Sequence, residues 1–222
     1  MMQLIDIKGM RKTYDGKRYV LDGLDFSLGE GEVATIHGAS GCGKSTFLNI
    51  VGLLDNCTDG KYFFAGKEII PKKLNSYYAV RAEDIGFIFQ SYCLIERLSV
   101  RENVLMPFLY NNEPIGDDVE KRLEGLMRDL NIASLIDKKA GNLSGGECQR
   151  VAICRAMLKK PRLIIADEPT GNLDENNTYL VVDAINKIRA GGTSVIVVTH
   201  NKSIGFENET KYMLDKGVLH PC

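Results

Sequence analysis

The chain has 222 residues, with 28 Lys+Arg against 29 Asp+Glu and a formal net charge of −1. At 44% apolar and 26% charged residues it has the make-up of a globular domain long enough to bury a sizeable core. The balanced charge speaks against a bulk electrostatic nucleic-acid binder, and no stretch approaches the roughly 20 apolar residues of a membrane span.

Residues 3–8 alternate and read as a strand, and 20–28 read as a second with a turn at Asp22-Gly23. Glu30-Gly31 marks another turn. EVATIH at 32–37 is rich in β-formers and runs straight into a Gly-rich loop, after which 47–54 has helical character. Further short strands are expected at 61–65 and 85–89. From about 98 to 136 the apolar spacing changes to three and four: Val104, Leu105, Phe108 and Leu109, then Val119, Leu123, Leu126, Met127 and Leu130. This predicts a helical lobe between two strand-rich parts, with a loop at 111–117 that carries Pro114 and Gly116. A helix is expected from Gly145-Gly146 to about Lys159, stopping before Pro161. Residues 163–167 read as a short buried strand, 175–190 as a helix closed by Gly191-Gly192, and 194–199 as a second buried strand. Buried strands alternating with helices predict an α/β fold with a parallel sheet.

The cysteines, Cys42, Cys57, Cys93, Cys148, Cys154 and Cys222, form no Cys-x-x-Cys pair and have no His at ligand spacing. Reduced thiols in a cytosolic protein are expected. Residues 1–8 lack a basic region followed by an apolar one, so no secretory leader is expected.

The strongest signal is Gly38-Ala39-Ser40-Gly41-Cys42-Gly43-Lys44-Ser45-Thr46, which matches G-x-x-x-x-G-K-[ST]. Glycines let the backbone curl so that successive N–H groups face phosphate oxygens. The helix beginning near Lys44 points its positive end at the same anion. The Lys44 ammonium can reach the β- and γ-phosphates, and the Ser45 hydroxyl can ligate Mg²⁺. A Gly-rich turn before a helix would need fewer of these letters. The strand before the loop and the helix after it favour the phosphate reading.

Leu-Ile-Ile-Ala-Asp167-Glu168 suits a buried strand whose tip carries two carboxylates, and such tips are where α/β sheets bind ligands. Asp167 is expected to hold Mg²⁺ directly or through a water, and Glu168 to activate the attacking water. Leu143-Ser144-Gly145-Gly146-Glu147 is a second Gly cluster. It reads as an ordinary capping box, Ser144 with Glu147, and as a second anion site at a helix start; both can hold. One nucleotide has no evident need of two such sites from one chain, so two chains are expected to share it.

Taken in order, the phosphate loop, LSGGECQRVAI at 143–153, LIIADEPTGNLD at 163–174 and a His after a β-strand resemble the ATPase subunit of an ABC transporter, over about residues 4–217. The resemblance implies a P-loop NTPase with a mostly parallel core sheet, an N-terminal antiparallel β subdomain and an inserted helical subdomain. It implies a single domain over 1–222, with 1–92 and 144–222 as nucleotide-binding core and 93–143 as helical subdomain. It implies that Tyr14, in KTYDG, stacks on the adenine, and that Gln90, in GFIFQ, contacts Mg²⁺ and the attacking water. Asp174 is the residue expected to cross between subunits, and His200 the one expected to contact the γ-phosphate. Two copies would sandwich two ATP molecules head to tail, each on one chain's Lys44 loop and under Leu143, Ser144, Gly145, Gly146 and Glu147 of the other.

ATP and Mg²⁺ are the implied ligands. The implied partners are a second ATPase subunit and transmembrane permease subunits, with no nucleic acid, at the inner face of the cell membrane. The phrases ADEPTGNLD, IVGLLDNCTDGKYFFAGKEI and ENVLMPFLY look like the branch that serves lipoprotein release, macrolide export, cell division and antimicrobial-peptide export or resistance. The alternatives are a soluble ABC-type ATPase acting on nucleic acid or the ribosome, and a regulatory subunit that does not hydrolyse. Departures from the family pattern are few. Ala39 and Cys42 occupy variable loop positions, Cys42 being a place where thiol reagents could act. Glu147 and Cys148 stand in place of glutamines, Asn201 stands where many relatives carry Asp, and 201–222 matches weakly.

Overall fold

The computed structural model describes residues 3–110, 113–171, 173–201 and 204–222. Parts of the expected loop at 111–117, of the segment after the acidic pair and of the C-terminal tail therefore lie outside the described residues. Among the described residues, two sheets and six α-helices organise the chain.

The first sheet has four strands in the order β2-β1-β4-β5, all antiparallel: β1 (Gln3–Thr13), β2 (Tyr19–Gly29), β4 (Asp59–Phe64) and β5 (Lys67–Glu68). Leu4, Ile5, Ile7, Met10, Leu21, Leu24, Phe26 and Leu28 bury one face of it. The turn expected at Asp22-Gly23 is instead a bulge inside a continuous β2. Met10 pairs with Leu24 and Arg11 with Asp22, so Gly23 is the extra residue, at φ 75°. A bulge kinks and twists a strand without ending it, and Gly accommodates the positive φ.

The second sheet has six strands in the order β10-β9-β3-β8-β7-β6. Here β3 (Val33–His37), β6 (Ile85–Ile88), β7 (Leu163–Asp167), β8 (Ser194–Val198) and β9 (Glu209–Asp215) run parallel, and β10 (Val218–Pro221) closes the edge antiparallel. Every residue of β3 and of β8 is buried. A parallel strand with both faces covered must be apolar throughout, which is why VATIH, LIIA and VIVV do not alternate. The tail carries no strand signal in its sequence. There β9 extends the sheet beyond β3, partly buried between β3 and β10.

The helices are α1 (Lys44–Val51), α2 (Tyr78–Glu83), α3 (Val100–Tyr110), α4 (Asp117–Asp129), α5 (Gly145–Met157) and α6 (Glu175–Ala190). The helical period was legible where one face is buried: Val104, Leu105, Phe108, Leu123, Met127 and Leu130 join the core, while Leu109 faces solvent. Short α2 and the 3₁₀ turns before it bury no residue, so their apolar spacing carries little signal. α4 opens on Asp117, Asp118 and Glu120, which complement its positive end. Among the described residues no helix is long and apolar enough to cross a membrane, and all six cysteines are free.

Candidate functional site

Because β3, β6, β7 and β8 are parallel, their carboxyl ends lie on one edge of the sheet. From β3 the chain enters the loop 38–43, with Gly41 at φ 77° and Gly43 at φ 108°, and then α1 with Gly43 at its N-cap position. Beyond β6 comes Gln90, at the tip of β7 stand Asp167 and Glu168, and beyond β8 come Thr199 and His200. These tips enclose a cleft of about 410 Å³. It is lined by Ser40, Gly41, Gly43, Lys44, Ser45, Thr46, Gln90, Asp167, Glu168, His200 and the side of Val20. Residues from Val20 to His200 thus converge because the topology stacks strand tips, and ten of the eleven were named from the sequence.

Within the cleft the Lys44 Nζ donates to the carbonyls of Gly38 (2.7 Å) and Ala39 (2.8 Å), which bends the loop around the ammonium. The Cys42 side chain turns to the back of the loop, half-buried against the core, and not into the cleft. Ser45 Oγ stands 3.5 Å from Asp167 Oδ2. Burial raises the Asp167 pKa, the neighbouring Glu168 adds to the rise, and Ser45 and Lys44 oppose it. A carboxylate short of charge compensation beside a hydroxyl and an amide is a hard-oxygen donor set. It suits a small divalent cation that takes its remaining ligands from phosphate and water.

Glu168 adopts φ 47°, an uncommon conformation for a residue with a side chain. Its Oε1 accepts from the His200 backbone N–H (2.9 Å) and faces His200 Nδ1 (2.8 Å), while its Oε2 accepts from Thr199 Oγ1 (3.0 Å). Facing a carboxylate oxygen, the imidazole nitrogen is the donor. The His200 side chain is 72% exposed and Glu168's 10%, so the acid is sheltered while the imidazole faces open solvent.

Tyr14 does not line the cleft. It is 63% exposed, and its hydroxyl bonds Asp55 Oδ2 (3.0 Å) and approaches Thr46 Oγ1 (3.5 Å), which ties it to the first turn of α1. Lys12 lies over its ring at 4.7 Å and bonds Asp55 Oδ1 at 2.7 Å. Sequence reasoning missed Lys12 and Asp55. No pattern in the sequence marks them: Lys12 is a charged residue whose burial follows only from the shifted register of β1.

Leu143, Ser144, Gly145, Gly146 and Glu147 lie outside this cleft, at the start of α5. The Glu147 N–H donates to Ser144 Oγ (3.3 Å) and Glu147 Oε2 accepts from the Ser144 N–H (2.7 Å), a complete capping box. That bond holds the Glu147 pKa below its usual value. Asp174 caps α6 by accepting from the Asn177 N–H (2.7 Å) and side chain (2.8 Å). Arg155, near the end of α5, donates to the carbonyls of Tyr92 (2.7 Å) and Cys93, two successive residues at positive φ just past Gln90. No sequence pattern announces that clamp.

A Gly-rich loop between a buried strand and a helix, a lysine folded into it, and acids at the next strand tip define a P-loop nucleotide-binding protein. The family described as "ABC transporter" matches residues 21–171. The lipoprotein-releasing system ATP-binding protein of Aquifex aeolicus is 42% identical over 204 residues, covering 92% of this chain and 90% of that protein. The macrolide export ATP-binding/permease protein of Bdellovibrio bacteriovorus is 39% identical over 219 residues, 97% of this chain. The chain spans only 33% of that longer relative. Among solved structures, the dimeric bacterial ABC transporter cassette MJ0796 superposes with a TM-score of 0.85 at 33% identity, covering 97% of this chain and 96% of that one. The same cassette is also known in a post-hydrolysis state bound to ADP and Pi. The chain belongs to the ABC transporter family, as an ATP-binding, ATP-hydrolysing cassette.

Proposed function

We propose that this cassette powers a separate membrane permease of the lipoprotein-release and macrolide-export type, working as a pair of copies that close on two ATP molecules. The observation that carries the pairing is the position of Ser144–Glu147: a capped helix start with Ser144 and Gly145 exposed, which lies outside the cleft of its own chain. A cassette with the same fold that forms a dimer supports it. The relatives reported are transport proteins, and the reading as a soluble ATPase acting on nucleic acid gains nothing from them.

In this reading the N–H groups of 38–46 and the Lys44 ammonium take the phosphates, and Tyr14 stacks on adenine. Ser45, Gln90 and Asp167 are the residues that would hold Mg²⁺, which when bound neutralises charge developing on the phosphates. Glu168 accepts a proton from the attacking water, and His200 hydrogen-bonds the γ-phosphate while steadying Glu168. Leu143, Ser144, Gly145, Gly146 and Glu147 cover the partner's ATP, and Asp174 lies where the two chains cross. Residues 93–143 form the lobe that meets the permease, with 1–92 and 144–222 as the nucleotide-binding core. An apolar groove of about 380 Å³ with Phe87, Phe89, Cys93, Met106 and Pro107 in its walls opens next to Gln90 and fits that contact. The working position is then peripheral, on the inner face of the membrane, held by the permease.

The test is Glu168→Gln, read by phosphate release and by size-exclusion chromatography with Mg²⁺-ATP. Loss of hydrolysis with a stable ATP-bound dimer is the expected result. Wild-type hydrolysis, or a monomer under saturating ATP, would overturn the role given to Glu168 or the pairing.

A further inference from the structure

We propose that Thr199 is a positioning residue for ATP hydrolysis, whose hydroxyl selects the oxygen of Glu168 that faces the attacking water. The inference rests on Glu168 being the base, and goes beyond it by naming what aims that base.

Thr199 is 1% exposed, so its hydroxyl has no bulk water to turn to. Its main chain is pinned to β3, the strand that delivers the phosphate loop. Its N–H donates to Ile36 O (3.2 Å), and its carbonyl accepts from Nδ1 of buried His37 (3.2 Å). Oγ1 accepts from the Asn201 N–H (3.1 Å) and stands 3.0 Å from Glu168 Oε2. A hydroxyl owns one hydrogen, and the lone pair turned to Asn201 leaves that hydrogen for Glu168.

The lone pairs of the carboxylate can then be counted. It offers about four acceptor positions, two on each oxygen. On Oε1 both are taken, by the His200 N–H and by His200 Nδ1. On Oε2 one is taken by Thr199, and among the described residues one remains. That remaining position is where a water can give up its proton. Without the Thr199 hydroxyl the carboxyl group can rock about its terminal torsion, which is broad and two-fold for Glu, and the free position loses its direction. A general base misplaced by about 1 Å forfeits up to about 10²-fold in rate while leaving substrate binding intact.

The test compares the full-length wild type with Thr199→Val, which keeps the shape and removes the hydroxyl, and Thr199→Ser, which keeps the hydroxyl. Glu168→Gln and the double variant Thr199→Val/Glu168→Gln complete the set. Steady-state hydrolysis and fluorescent-ATP binding are measured on each. The expected result is a kcat lowered about tenfold or more in Thr199→Val, with KM and nucleotide affinity within twofold of wild type. Thr199→Ser should recover most of the rate, and the valine should add nothing to Glu168→Gln, because a residue acting through Glu168 has nothing left to aim. Unchanged kcat in the valine variant overturns the proposal, as does a further loss in the Glu168→Gln background. If valine prevents folding, Thr199→Ser against Thr199→Cys repeats the comparison, since a thiol is a weak donor of similar size. Wild-type hydrolysis by Glu168→Gln would instead refute the underlying role of Glu168, so the two failures are distinct.

Discussion

Gly146→Ala probes the joint between the start of α5 and the start of α6. Gly146 is buried in the first turn of α5, and a methyl group placed on it stands 2.4 Å from Asn177 Oδ1 and 2.5 Å from its Cγ. Asn177 is a flexible side chain but it is tied on both sides. Its Oδ1 accepts from Arg150 and its Nδ2 donates to Asp174 Oδ2 at 2.8 Å. Making room costs both bonds, each to a charged group and worth about 1.5 kcal/mol. Alanine returns about 1 kcal/mol of helix propensity. The net is about 2 kcal/mol of destabilisation, or a Tm lower by about 4–8 °C for a chain of this size. The assay is thermal unfolding of wild type, Gly146→Ala, Asn177→Ala and the double variant. With the asparagine shortened, the added methyl has space and only the propensity gain is left, so Gly146→Ala should be neutral or stabilising in that background. An equal loss in both backgrounds would refute the steric account.

Ser144→Ala removes the cap and should lower stability by about 1 kcal/mol, while Ser144→Asp keeps a cap and sets a negative charge where the partner's phosphate is proposed to lie. In a Glu168→Gln background the aspartate should preserve the melting temperature and abolish the ATP-bound dimer; a dimer of normal strength would remove Ser144 from the interface. Asp167 is held above its ordinary value of 3.8, chiefly by burial. A raised acid pKa means that the folded state holds its proton longer, so the penalty for charging it grows as pH rises from about 3.8 through the folded value. Asp167→Asn should therefore stabilise the nucleotide-free protein at neutral pH, with the gain fading toward pH 4, and weaken Mg²⁺-dependent nucleotide binding. Equal melting curves across that range would contradict the stated cause of the shift.

What the sequence determined by itself was the family and most of the regular structure. The phosphate loop, the acidic pair and the LSGGE segment are contiguous, so their residue types and order carry the signal without reference to the fold. Buried strands such as VIVV and helices with one apolar face were legible for the same reason, since burial of a whole strand or of one stripe leaves a periodic trace. Less visible were elements whose place depends on partners far along the chain. Strand β9, second from the sheet edge, the bulge at Gly23 and the nearly unburied α2 leave little pattern of their own.

The tertiary structure alone decided which side chains meet. Thr199 reads as one more β-branched residue after VIVV until the parallel register of β7 and β8 puts its hydroxyl on Glu168. Lys12 and Asp55 are 43 positions apart and become the support of Tyr14 only because β1 lies beside the turn after α1. The LSGGE segment could be named at once, but its place outside the cleft follows from where α5 begins. The reason in each case is that a hydrogen bond needs a distance and a direction, and across separate strands both are set by packing and register.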